Sequence, residues 1–73
     1  MCSYISTIQN LETGETQSSE PLPLLSNAVG AGSRMLHEHV EPWPRDDGWS
    51  AFRTLMRFRR INRGGYLVTV AKV

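Results

Sequence analysis

The fold of this chain depends first on its last eight residues, Tyr66-Leu67-Val68-Thr69-Val70-Ala71-Lys72-Val73. They are rich in β-branched side chains, which favour a pleated strand, and both faces of that strand would be largely apolar. An exposed strand of this kind pairs with other chains and aggregates, so it needs a partner strand. The segment therefore predicts a strand over 66–73 that pairs either within the chain or with a second copy in a homodimer.

A second β-prone segment lies near the other end of the chain, in Tyr4-Ile5-Ser6-Thr7-Ile8-Gln9. Its β-branched and aromatic side chains also suit a pleated surface. A turn is predicted shortly after it, at residues 12–16, because Gly14 can adopt a positive φ without a steric clash. We therefore expect a short strand over 4–9 that can pair with 66–73.

The stretch from residue 10 to residue 33 gives few signals of regular structure. Pro21 and Pro23 remove two backbone donors and favour extended geometry in the residues before them. Gly30 and Gly32 each disfavour a helix interior by about 1 kcal/mol relative to alanine. Much of 10–33 is therefore predicted to be irregular or disordered.

A short helix is predicted next, over residues 34–40. Ser33 is a suitable cap for its first turn, and the apolar side chains that follow recur at helical spacing. Pro42 would end this helix, and the sequence Pro42-Trp43-Pro44 would form a rigid, extended connector.

A longer helix is the first interpretation of residues 48–61. Asp46 or Asp47 would place a carboxylate at its start, where it interacts favourably with the helix dipole and can accept hydrogen bonds from the first N–H groups. Glycines readily take the left-handed conformation that closes a helix, so we expect it to end near Gly64 and Gly65.

A strand is the second interpretation of the same segment. Apolar and arginine side chains alternate over residues 56–59, which is the period of a strand. Residues 62–65 would then form a four-residue hairpin loop that leads into the C-terminal strand. Both interpretations predict a small α+β fold, which we divide into an acidic, flexible segment over 1–33 and a basic folded unit over 34–73.

The formal net charge of +1 conceals a strong gradient along the chain. Residues 1–33 carry three acids and no Lys or Arg, and residues 34–47 carry four acids and two arginines. Residues 48–73 carry six basic side chains and no acid. The net charges of the three stretches are therefore −3, −2 and +6. The basic stretch is expected either to meet an oppositely charged partner or to be covered by the chain's own acids.

The candidate binding site is the basic, aromatic segment over 49–63. Guanidinium groups bind carboxylates and phosphates with two parallel hydrogen bonds and stack on planar rings. The residues selected on this ground are Trp49, Phe52, Arg53, Arg57, Phe58, Arg59, Arg60 and Arg63. The alternative is that the aromatic side chains belong to the core and the arginines are only solvated.

These features predict a non-catalytic regulatory or adaptor protein that binds a macromolecule through this segment. A protein partner is the first hypothesis. RNA or DNA is the alternative, as in the small accessory proteins that viruses and phages encode. A membrane surface is less favoured, because the basic helix would be short and interrupted by Arg59 on its apolar face. A structural homo-oligomer that uses the strand over 66–73 is a further alternative.

Other classes of function are disfavoured by the residues present. Cys2 is the only cysteine, so neither an intramolecular disulfide nor a multi-cysteine zinc site can form, and an intracellular location, cytoplasmic or nuclear, is expected. His37 and His39 would diverge by about 200° on a helix and could not both bind one metal ion. A chain of 73 residues seldom encloses a catalytic pocket. We therefore predict no enzyme activity, no metal and no cofactor.

Overall fold

The computed structural model describes residues 3–40 and 47–73, with side chains from Ser50 onward in the second part. Its elements are, in chain order, β1 (Tyr4–Asn10), β2 (Thr16–Ser18), α1 (Leu25–His39), α2 (Asp47–Phe58), β3 (Arg60–Arg63) and β4 (Tyr66–Lys72). The described part of the chain is an α+β fold, as predicted. The predicted connector over 42–44, the Cys2 thiol and the Trp49 side chain lie outside the described residues.

The strands form one antiparallel sheet in the order β2-β1-β4-β3. β1 pairs with β4 from Tyr4 opposite Lys72 to Asn10 opposite Tyr66, and β3 pairs with the other side of β4. The predicted pairing of the two terminal segments is therefore confirmed. Because β4 has strands of its own chain on both sides, the expected homodimer through 66–73 would have to displace one of them.

β2 is an edge strand that the sequence analysis did not predict. It is held against β1 by the N–H of Asn10, which donates to the carbonyl of Glu15 at 2.8 Å, and by the N–H of Ser19, which donates to the carbonyl of Ser6 at 2.8 Å. All its residues are exposed and polar, so no hydrophobic alternation marks it. The stretch over 10–33 therefore contains more regular structure than predicted, although the turn around Gly14 (φ 81°) is where it was expected.

α1 begins nine residues before the predicted helix over 34–40, at Leu25, and passes through Gly30 and Gly32. Packing against the sheet outweighs the low helix propensity of these glycines. A Cβ atom at Gly32 would lie 3.0 Å from Val68 Cγ1 and 3.1 Å from Ser6 Oγ, so only glycine lets the helix backbone come this close to the sheet. The hydroxyl of Ser6 donates to the carbonyl of Ala28 at the same contact.

The position of Ser33 corrects one prediction and bears on a second. It lies buried in the middle of α1 and is not the N-cap of a helix. The predicted boundary between an N-terminal segment and a folded unit, after residue 33, also falls inside this helix. Ala28 and Val29, which precede the boundary, are fully buried in the same core as Val68.

The structure combines the two interpretations of residues 48–61. A helix spans Asp47–Phe58, so it starts within one residue of the predicted position 48 but ends three residues before the predicted 61, and the strand β3 follows from Arg60. Arg59 adopts the left-handed conformation (φ 62°) between them. Its N–H donates to the carbonyl of Leu55 at 2.9 Å, and its own carbonyl accepts from the N–H of Val70 at 2.9 Å. A single residue therefore ends the helix and starts the strand pairing, so the predicted helix end near 61 is wrong.

Gly64 and Gly65 turn the chain between β3 and β4. Their φ angles are 61° and 82°, and Arg63 pairs directly with Tyr66 across them. Positive φ at both central residues is typical of a type I′ turn, which matches the twist of the two strands that it joins. These glycines thus form a two-residue hairpin loop, and the predictions of a helix cap and of a four-residue loop are both wrong.

Both helices pack on one face of the sheet. Alternate residues of the two central strands, among them Ile8, Val68 and Val70, point toward the helices and are buried. The core consists of Ile8, Ala28, Val29, Leu36, Ala51, Leu55, Ile61, Val68 and Val70. In the described part of the chain no helix covers the other face, which carries the half-exposed side chains of Thr7 and Thr69. None of the described helices is long and apolar enough to cross a membrane.

Candidate functional site

The outer side of α2 carries two of the predicted site residues. Arg53 and Arg57 are exposed, and their four-residue spacing places them on the same side of the helix. Ala51 and Leu55 are fully buried on the opposite side, against the core. The amphipathic pattern of α2 therefore directs these two guanidinium groups to solvent.

Two further arginines follow where the helix passes into β3. The guanidinium of Arg59 donates to the carbonyl of Met56, in the last turn of α2, and the side chain is exposed. Arg60 is also exposed and stands opposite Thr69, on the sheet face that the described helices leave uncovered. The exposed arginines thus flank β3 from both sides of the sheet.

Phe58 is the exposed aromatic residue of this region. Its side chain is 61% exposed, and the guanidinium carbon of Arg57 lies 5.2 Å from the centre of its ring. We call the group Arg53, Arg57, Phe58, Arg59 and Arg60 the arginine edge.

Other predicted site residues do not belong to the arginine edge. Phe52 packs against the hydrophobic core. Arg63 is half-buried and shares the helix-covered face of β3 with Ile61, because side chains alternate along a strand. The predicted cluster is therefore divided, with these two residues turned inward, and the Trp49 side chain lies outside the described residues.

The acidic side chains of the described residues lie on the other side of the molecule. Glu12 and Glu15 belong to the connection between β1 and β2, and Glu20 follows β2. Glu38 of α1 lines the same groove as residues of β2. Since β2 and β3 are opposite edges of the sheet, they are separated by about 14 Å, or three strand spacings. For the side chains that the structure describes, the charge gradient along the chain corresponds to a charge separation across the sheet.

Within the described residues, no acid forms an ion pair with Arg53, Arg57, Arg59 or Arg60. The hypothesis that the chain's own acids cover these arginines therefore has no support from Glu12, Glu15, Glu20 or Glu38. The remaining acids, at positions 41, 46 and 47, lie outside the residues whose side chains are described.

Within the described residues no strand pairs with the outer side of β3, so its backbone presents an open edge beside these arginines. Residues of an antiparallel strand direct their N–H and C=O groups alternately to one neighbour and the other. The hydrogen bond from the Val70 N–H to the Arg59 carbonyl and the pairing of Arg63 with Tyr66 set this alternation. Ile61 and Arg63 therefore direct their backbone N–H and C=O groups toward β4. Arg60 and Asn62 consequently direct their N–H and C=O groups away from the sheet. The sequence-based predictions did not select Asn62 as a site residue, although the hairpin interpretation already predicted a strand beside it.

The edge at β2 differs in its backbone. Tyr4 and Leu22 exchange two hydrogen bonds of 2.8 and 2.9 Å, which continue the pairing of β1 beyond Ser19. Two residues, Glu20 and Pro21, lie between these pairing sites where β1 has only Ile5, so the edge bulges. Pro21 also lacks an N–H group. A bulge, a proline and negative charge are typical means of blocking a sheet edge.

Two concavities lie on the β2 side of the fold. The larger, of about 560 Å³, is a groove between α1 and the segment over 17–22, and its lining is mainly polar and includes the charged side chains of Glu20, Arg34 and Glu38. The smaller, of about 320 Å³, contains His39, whose ring packs against Tyr66 with 5.1 Å between ring centres. His39 Nδ1 donates to the Met35 carbonyl at 2.7 Å.

Among the described residues, no three metal-ligating side chains come together. His37 and His39 lie on a helix, on which they diverge. No protein-family model, no curated protein and no solved structure matches this chain.

Proposed function

We propose that this protein is a non-catalytic adaptor or regulatory module that binds an acidic protein partner through the arginine edge. The observation that carries the proposal is that Arg53, Arg57 and Arg60 are exposed and form no ion pair with the described acids. Their charge is therefore available to a partner. A guanidinium group binds a carboxylate with two parallel hydrogen bonds, which gives direction as well as attraction.

An acidic polypeptide fits this surface better than a nucleic acid. The exposed arginines are divided between the outer side of α2 and the uncovered sheet face, so they flank a strand and do not form one flat track for phosphates. The described residues of the uncovered face include no aromatic side chain on which bases could stack, and Phe58, at the end of α2, is the one exposed ring among the described residues of the arginine edge. The open backbone at Arg60 and Asn62, in contrast, offers hydrogen bonds that a polypeptide can form.

The strength of the interaction should depend on several arginines together. An exposed ion pair contributes about 0–1 kcal/mol and is weakened by salt. One pair alone would not hold a partner, whereas three or four neighbouring arginines can do so when the partner carries matching acids. The exposed ring of Phe58 adds an apolar contact beside them.

The test compares defined probes by fluorescence anisotropy. A labelled Glu-rich peptide, a neutral peptide of the same length, a single-stranded RNA and a double-stranded DNA are titrated at about 50 mM and about 300 mM NaCl. We expect the acidic peptide to bind most tightly. Arg57→Gln and Arg60→Gln should each weaken its binding about two- to fivefold, because each removes one exposed charge pair.

Arg34→Gln is the matched control, since it removes the same charge from an exposed site on the β2 side of the fold. We expect its effect on binding to be within experimental error. Tighter binding of RNA or DNA than of the acidic peptide would replace the proposal by the nucleic-acid alternative. Equal effects of Arg34→Gln and Arg57→Gln would show unspecific attraction and would overturn the proposal.

A further inference from the structure

We infer that the acidic partner binds as an added antiparallel strand on the open edge of β3, with acidic side chains at alternate positions. This inference rests on the proposed function, because it concerns how the same surface recognises its partner. It extends the four-stranded sheet by one strand beyond β3, in a mode of peptide recognition that uses main-chain hydrogen bonds for affinity and side chains for specificity.

The backbone groups needed for this pairing are already oriented. Arg60 and Asn62 lie two residues apart and each directs one N–H and one C=O away from β4. An incoming antiparallel strand can exchange two hydrogen bonds with each of them. The strand is short, with four residues, so the backbone alone specifies only a short contact and side chains must supply the selectivity.

The side chains of β3 specify where the acids of the partner should lie. In an antiparallel pair, residues directly opposite each other point to the same face, with their Cβ atoms about 5 Å apart. The partner residue opposite Arg60 therefore projects onto the uncovered face, within reach of the guanidinium group. The N–H of this partner residue also points toward β3, because the backbone N–H and C=O of Arg60 point away from β4. The acidic residues of the partner are therefore the residues whose N–H groups donate hydrogen bonds to β3.

A second copy of this chain is not the occupant that the structure favours. Its described acids lie in the β1–β2 connection, at the β2 bulge and on α1, and none is part of a regular strand edge. The bulge at Glu20 and Pro21 removes the straight edge that a head-to-tail pairing through β2 would require. Since none of the described acids can supply a complementary strand, we assign the complementary charge to an extended acidic segment of another protein.

The experiment uses a synthetic peptide of about ten residues with alternating Glu and Thr, in three forms. One form is unmodified, one carries N-methyl groups on every Glu, and one carries them on every Thr. Methylation removes a backbone donor and leaves the charge unchanged. We expect methylation at Glu to weaken binding at least about tenfold and methylation at Thr to change it by less than about twofold, since only the Glu N–H groups face β3.

Hydrogen exchange at the protein amides gives a second measurement with the unmodified chain. Saturation with the unmodified peptide should slow exchange at Arg60 and Asn62 at least about tenfold. The amides of Thr16 and Ser18, at the opposite edge, are the internal control and their exchange should be unchanged.

Asn62→Pro should abolish the peptide's binding, because a proline at an outward-facing edge position removes only the outer donor. Thr16→Pro is the matched variant and should bind normally.

The outcomes separate this inference from the proposed function. If the unmodified peptide binds in an Arg60-dependent manner but both methylated forms bind equally well, strand addition is wrong and the binding function remains. If methylation at Thr is the damaging change, the antiparallel arrangement with acids opposite Arg60 is wrong. If the unmodified peptide does not bind at all, the proposed function itself fails. Because the peptide series uses the wild-type chain, a misfolded variant cannot obscure the result.

Discussion

At the scale of single residues, two glycines of α1 have opposite reasons to be present. Gly32 faces the sheet, where a Cβ atom would lie 3.0 Å from Val68 Cγ1 and 3.3 Å from Ser6 Cβ. Both neighbours are buried and have little room to move. A Cβ at Gly30 would meet Phe52 Cε2 at 3.9 Å, an ordinary van der Waals contact. Helix propensity therefore decides at Gly30, and packing decides at Gly32.

We predict that Gly30→Ala raises the free energy of unfolding by up to about 1 kcal/mol, the gain in helix propensity. Gly32→Ala should lower it by about 1–2 kcal/mol, because overpacking costs more than the propensity gain. Each variant is the control for the other, since both place the same side chain in the same helix. Urea unfolding followed by circular dichroism measures the difference. Equal stability of the two variants would contradict the close approach of α1 to the sheet.

Some residue-scale features could be predicted from the sequence, and others could not. Glycine's tolerance of positive φ correctly placed the turn at Gly14. The same principle was misapplied at Gly64 and Gly65, because a helix end and a hairpin turn require the same left-handed backbone. The closing residue of α2 is Arg59, which no propensity scale would select. It is stabilised there by backbone pairing with Val70, which is eleven residues away.

At the scale of elements, the β3–β4 turn shows how a local rule is overruled by a contact from another element. The first position of a type I′ turn commonly holds Asn, which suggests that Gly64→Asn would be tolerated. A Cβ atom at Gly64, however, would lie 2.9 Å from both Cγ atoms of Val40, at the end of α1. A Cβ at Gly65 would meet nothing within 4 Å. Glycine at position 64 is therefore required by α1 as well as by the turn.

We predict that Gly64→Asn lowers the free energy of unfolding by at least about 1 kcal/mol through the clash with Val40. A double-mutant cycle with Val40→Ala tests the cause. The loss from Gly64→Asn should be smaller by about 1 kcal/mol in the Val40→Ala background, because the obstructing methyl groups are gone. Additive effects of the two changes would mean that the turn alone determines the cost.

At the scale of the whole molecule, the sheet order joins both ends of the chain in one core. The central pair of strands is β1 and β4, which come from opposite ends of the sequence. α1 contacts both of them and also α2. The acidic N-terminal segment is therefore about half of the folding unit, although its composition predicted a flexible segment.

We predict that a fragment of residues 34–73 does not fold by itself. It would lack β1, which pairs along one whole side of β4, and the buried side chains of Ala28 and Val29. A fragment that loses three of the nine core residues and a whole partner strand cannot offset its loss of conformational entropy. Far-UV circular dichroism and thermal unfolding, with the full chain measured in parallel, test this. A cooperative transition in the fragment would restore the division after residue 33.

The sequence by itself determined the two terminal strands, the start of α2, the α+β class and the charge gradient. These depend on residue type and local spacing, which are readable along the chain. Only the tertiary structure decided which strand lies at an edge, and therefore that Arg60 and Asn62 present open backbone while Arg63 turns inward. Strand order and the packing of α1 depend on contacts between residues far apart in sequence, whose free energies no local pattern contains. The positive charge was visible in the sequence, but the open strand beside it was not.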